Sequence, residues 1–155
     1  MKIKLFLVLI HFFLLNKVFP IVSNLHTFEN NKLSLLIAER NDSYINLGLY
    51  FQLKPGWKIY WIYSGDSGLA PKLKIEDKSS YDSFLVHWPV PEELYEKDID
   101  LTTRVYTDNI IIPIDLYLNK NDRLKKSIKF SIDYQICKEI CIPLIAELEI
   151  KIPNN

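Results

Sequence analysis

Apolar residues recur at every second position along most of this chain. Leu33, Leu35 and Ile37 alternate weakly, and Ile45, Leu47, Leu49, Phe51 and Leu53 alternate cleanly with mostly polar or small neighbours. After Pro55-Gly56, the pattern resumes at Trp57, Ile59, Trp61 and Tyr63. Shorter runs follow at Leu73 and Ile75 and at Phe84, Val86 and Trp88, then a longer one from Ile110 to Leu118. Two more close the chain, Ile128 to Ile136 and Ile142 to Ile152. A period of two is that of half-buried strands, and the Asn, Pro and Gly clusters between runs mark turns. The pattern predicts an all-β chain of about eight or nine strands, arranged as an antiparallel sandwich of immunoglobulin-like type. Between Pro89 and Asn109 the alternation lapses, and that segment reads as a long surface loop with one short strand near Val105.

Residues 1–23 stand apart. Lys2 and Lys4 precede an apolar run from Leu5 to Leu15, Asn16 and Lys17 break it, and Ser23 offers a small residue at a cleavage edge. This predicts a signal peptide at 1–23 and one domain at 24–155. The run is shorter than the ~20 residues a membrane span needs, and no later stretch could span a bilayer. Removing the leader leaves 16 basic against 19 acidic residues, a net charge of −3. With no basic stripe, that charge argues against nucleic-acid binding.

Only two cysteines occur in 155 residues, at the ends of Cys137-Lys138-Glu139-Ile140-Cys141. Four residues along one strand span ~13 Å, too far for a disulfide. If the flanking strands form a hairpin, the two cysteines fall opposite each other, at ~4.5–5.5 Å between α-carbons, which suits one. Such a pair can be a structural staple or an exchanging pair. A short closed loop constrains the unfolded chain little, which favours exchange. Lys138 would lower a neighbouring thiol's pKa and Glu139 would raise it, so local charge decides nothing.

Other candidates are weaker. Gly65-Asp66-Ser67-Gly68 resembles the nucleophile loop of trypsin-like proteases, but the expected mature chain holds only His26 and His87 and is too short for that fold. The loop reads instead as a tight turn whose glycines take positive φ. Two cysteines and two scattered histidines give no metal-ligand spacing, and the reading calls for no metal and no cofactor. Trp57, Trp61 and Trp88 are in phase with their strands and read as core. Tyr60 is out of phase and reads as facing solvent or a loop.

Taken in order, Gly56-Trp57-Lys58-Ile59-Tyr60-Trp61, Gly65 to Pro71, His87-Trp88-Pro89-Val90-Pro91-Glu92, Ile111-Ile112-Pro113-Ile114 and Cys137 to Pro143 resemble the amino-terminal periplasmic domain of DsbD and ScsB. These are bacterial membrane thiol:disulfide interchange proteins. The resemblance implies a periplasmic immunoglobulin-like domain with protein-disulfide reductase activity. It would take electrons from a membrane thiol:disulfide donor and pass them to thioredoxin-fold or other oxidised periplasmic proteins. It implies that Cys141 forms the mixed disulfide and that Cys137 resolves it. It places a cap over the pair at Glu92-Glu93-Leu94-Tyr95. Leu94 stands where the family's cap has an aromatic residue, and Ile62 stands where an arginine is common. DsbD-type proteins continue into a transmembrane and a thioredoxin-like domain, whereas this sequence stops at Asn155, so a separate membrane partner is expected. The alternative is a non-catalytic interaction module with a structural disulfide.

Overall fold

A computed structural model describes residues 21–76, 81–119 and 127–152. Most of the expected leader lies outside these residues. The described residues contain twelve strands and no helix, in two sheets whose pairings are all antiparallel. In chain order the strands are β1 (Ile21–Val22), β2 (His26–Thr27), β3 (Asn31–Arg40), β4 (Tyr44–Leu53), β5 (Lys58–Gly65) and β6 (Lys72–Ile75). They continue with β7 (Tyr81–Val86), β8 (Glu92–Glu96), β9 (Leu101–Tyr106), β10 (Ile110–Leu118), β11 (Ser127–Cys137) and β12 (Cys141–Lys151).

One sheet runs β1-β3-β4-β10-β7, with β2 also on β3; the other runs β12-β11-β5-β9-β8, with β6 also on β11. The alternating apolar residues meet between the two sheets. Leu33, Leu35, Ile45, Leu49, Phe51, Ile112, Ile114 and Leu116 face Phe130, Ile132, Ile136, Ala146 and Ile150, all but fully buried. Trp57, Trp61 and Trp88 pack partly buried against this core. Tyr134 crosses it and donates a 2.7 Å hydrogen bond to Asn31 Oδ1. Burial disfavours its phenolate and pushes its pKa up.

Twelve strands exceed the eight or nine that the alternation predicts, for local reasons. β1 and β2 have two residues each, too few to show a period. The segment read as a long loop with one short strand near Val105 has that strand, β9, and adds β8 in a hairpin with it, with Asp100 at φ +52° in the turn. β8 shows no apolar alternation because it is a sheet edge: Glu92, Glu93, Tyr95 and Glu96 are exposed and only Leu94 turns inward.

β1 holds residues on the leader side of the expected cleavage edge. Ile21 and Val22 pair with Ile37 and Leu36, and the Ser23 hydroxyl accepts a hydrogen bond from the Leu35 amide.

Candidate functional site

β11 and β12 pair over eleven positions from Ser127↔Lys151 to Cys137↔Cys141, so the cysteines close the tip of a long hairpin. They are joined in a disulfide with α-carbons 4.1 Å apart. The bridge lies within one sheet at its end, unlike the inter-sheet bridge of antibody domains. The two sulfur-bearing residues differ in access: Cys137 is fully buried and Cys141 is exposed.

The pair lies on the outer face of its sheet, away from the main core. Register sets this out. Ile136 opposes Ile59 on the core face, so the next pair, Cys137 and Lys58, faces the other way. Tyr60 follows Lys58 on that outer face and opposes Val105. Thr103 follows Val105 and opposes Leu94. Tyr60, Val105 and Cys137 thus form a second, small buried cluster, with Leu94 packed against it.

Three features close over this cluster. Leu94 of β8 covers one side. The Lys58 ammonium, on β5, reaches Glu96 of β8 at 3.1 Å. The Gly65–Pro71 loop covers Tyr60. A side chain on Gly68 would begin 2.1 Å from the Tyr60 ring, and Gly68 has φ +91°, so only glycine fits there. Gly65 also takes positive φ, and Asp66 anchors the loop by accepting from the Thr102 amide.

Of the two settings expected for Tyr60, solvent or a loop, it takes the loop: it is buried under Gly68, and its hydroxyl lies 3.8 Å from Cys141 Sγ. A disulfide sulfur carries no hydrogen, so the hydroxyl is the donor. Burial pushes the Tyr60 pKa up, Glu96 adds to that and Lys58 opposes it, so the hydroxyl keeps its proton for donation. Once the pair is reduced, the same donor would favour a thiolate at Cys141. Thr103 Oγ1 is buried beneath Leu94 with no hydrogen-bond partner among the described residues.

Of the residues expected to form the cap, Leu94 alone joins the cysteine cluster. Glu92 accepts from the Thr107 hydroxyl, Glu93 pairs with Arg104, and the Tyr95 hydroxyl donates to Asp100. The sequence pattern did not show that Tyr60 and Lys58 adjoin the pair, or that Gly68 packs on Tyr60 and Glu96 on Lys58. The phase of Tyr60, opposite to Ile59 and Trp61, was the one available signal.

His87 pairs with Asp115 on the outer face of the other sheet, where the hydrogen bond from His87 holds the Asp115 carboxyl below its usual range. Open depressions of about 270 and 330 Å³ lie elsewhere, and no cysteine lines either. Among the described residues no group of three His, Cys, Asp or Glu side chains could hold a metal, and no helix is long and apolar enough to cross a membrane. The chemistry on offer is a disulfide presented at a surface, a geometry for meeting another protein.

Comparison with known proteins gives a family and a fold. Residues 31–152 match the family described as thiol:disulfide interchange protein DsbD, N-terminal. Among solved structures, the N-terminal periplasmic domain of ScsB from Proteus mirabilis is similar with a TM-score of 0.71 and 21% identity, over 86% of this chain and 52% of that one. The chain thus spans about half of that ScsB structure. The reduced N-terminal domain of DsbD from Neisseria meningitidis is similar at 16% identity and a TM-score of 0.47, over 79% of this chain and 86% of that one. The GAE domain of GGA2p from Saccharomyces cerevisiae has a TM-score of 0.50 at 14% identity, over 86% of this chain and 98% of that one. No curated protein matches the sequence.

Proposed function

The chain belongs to the family of the amino-terminal domain of the thiol:disulfide interchange protein DsbD, and on that premise we propose that it exchanges thiols and disulfides in the periplasm through Cys137 and Cys141. The observation that carries this reading is the unequal pair at the hairpin tip, an exposed Cys141 bonded to a buried Cys137 beside the Tyr60 hydroxyl.

A donor thiolate attacks Cys141 Sγ, the S–S bond breaks, and Cys137 leaves as a thiolate that takes a proton. The donor's second thiol then displaces Cys141, so two electrons and two protons pass to the pair and the donor becomes a disulfide. In the outward half, the Cys141 thiolate attacks a disulfide of an oxidised protein. Cys137 attacks Cys141 Sγ in the mixed disulfide and releases the acceptor reduced. The exposure of Cys141 supports its role as the sulfur that partners meet, and the burial of Cys137 supports its role as resolver. The donor is a membrane thiol:disulfide protein and the acceptors are thioredoxin-fold or other periplasmic disulfide proteins. Delivery follows cleavage near Ser23, leaving residues 24–155 as the domain; a cut before Ile21 would instead retain β1.

The test is a pair of variants expressed in the periplasm. Cys137→Ser leaves Cys141 free with nothing to resolve its adducts, so it accumulates mixed disulfides on non-reducing gels. Cys141→Ser accumulates far fewer. The wild-type pair has a reduction potential above about −300 mV, whereas a structural staple lies below it. Adducts absent from both variants, with a potential in the structural range, would leave the interaction-module reading in place.

A further inference from the structure

The Lys58–Glu96 ion pair ties two features together that the exchange chemistry needs separately. Lys58 opposes Cys137 in register, on the face that carries the Tyr60 hydroxyl to Cys141. Its side chain is 14% exposed and that of Glu96 is 47% exposed, and the bond between them lies at the surface. Glu96 lies two residues beyond Leu94 on β8 and shares its face, so one edge strand carries both the apolar lid and the counter-charge of the lysine. Among the described residues that strand joins its sheet through β9 alone.

We propose that Lys58–Glu96 is an electrostatic switch, in which the closed β8 cap neutralises Lys58 and the displaced cap gives the lysine's charge to the cysteine thiols. A cation beside a thiol favours the thiolate, and a carboxylate on that cation cancels the effect. Opening the cap then raises access and nucleophilicity in one movement, so the reduced pair stays quiet until a partner displaces β8. The other charged or titratable groups facing the pair are Tyr60 on β5, Glu92 on β8, and Lys138 and Glu139 at the hairpin tip. Glu92 is engaged by Thr107, and the Lys138 side chain lies along Gly56. The inference rests on the exchange reading for its purpose, but its test does not.

The test uses the fully reduced protein and iodoacetamide. The thiolate sulfur forms a bond to carbon, iodide leaves, and the thiol proton passes to buffer. The midpoint of the rate against pH reports ionisation, and the high-pH plateau reports access. Glu96→Gln is expected to lower the midpoint and raise the plateau, with alkylation at neutral pH about three- to tenfold faster. Lys58→Gln raises the plateau but not the thiolate fraction, and adding Glu96→Gln to it moves the midpoint no further. Lys58→Arg keeps the pair and tracks wild type. Near-ultraviolet circular dichroism identifies any variant that has lost its fold. In that event, raising the salt concentration on wild type should raise the plateau while the same change leaves Lys58→Gln unmoved. Two results overturn the switch: a Glu96→Gln midpoint equal to wild type, or one lowered equally with and without Lys58. Neither depends on a partner or on the reduction potential, so this inference and the exchange reading fail separately.

Discussion

Gly68 is where a single hydrogen atom decides the site. Its backbone lies on the Tyr60 ring at positive φ, and any β-carbon there would overlap that ring. Tyr60 in turn holds its hydroxyl against Cys141. Gly68→Ala therefore combines an unfavourable backbone conformation with overpacking, and should destabilise the fold by roughly 1–3 kcal/mol. Relief requires Tyr60 to move, so the reduced variant should also alkylate faster than wild type. Thermal melting and a timed alkylation check both effects. An unchanged melting temperature would mean that the loop gives way instead and Tyr60 is not pinned. The glycine-rich sequence announced a turn with positive φ, and Gly65 and Gly68 have it. Nothing in the sequence announced that the turn folds back over a tyrosine 8 positions earlier, a contact that comes with the irregular pairing of β5 and β9 between Tyr60 and Gly65 and not from local propensity.

Among the elements, β8 separates residues that look equivalent in sequence. Leu94 and Tyr95 were both expected in the cap, yet alternation along a strand sends them to opposite faces. Leu94 packs on Tyr60, Val105 and Cys137, whereas Tyr95 is 61% exposed and bonded to Asp100. Leu94→Ala should then speed alkylation of the reduced thiols several-fold, and Tyr95→Ala should leave the rate near wild type. Equal effects from the two would mean that the hairpin acts as a whole and not through one side chain. The long strand from Ile128 to Ile136 was legible in sequence because one face lies in the core and the other is open to solvent, whereas β3 alternates weakly because Ser34 is buried and Leu36 half-buried on its second face. β8 was not legible, because an edge strand with a single inward residue has too little apolar content to show a period. The cysteine hairpin was legible from spacing, since disulfide geometry excludes the extended alternative. The outer-face cluster around it was not, because it needs β5, β9 and β8 to be adjacent, which only the topology supplies.

At the scale of the whole molecule, the disulfide should be dispensable to the fold. The hairpin it closes is already held by the β11–β12 ladder from Ser127↔Lys151 to Ile136↔Ile142. The main core lies on the other face of that sheet, and Cys137 belongs to the small outer cluster instead. The bridge spans a sequence separation of 4, so the entropy it removes from the unfolded chain is small, about 2 kcal/mol for so short a loop. Set against a typical domain stability of about 5–15 kcal/mol, that loss leaves the reduced protein folded. Reduction should lower the melting temperature by roughly 4–8 °C without changing the far-ultraviolet spectrum at room temperature. Exchange requires such independence: a domain that cycles between dithiol and disulfide must keep Cys141 presented in both states, or each turnover would include refolding. Wholesale unfolding on reduction would therefore count against the exchange function as well as against the stability estimate. A modest shift with an intact fold is what a carrier of electrons needs.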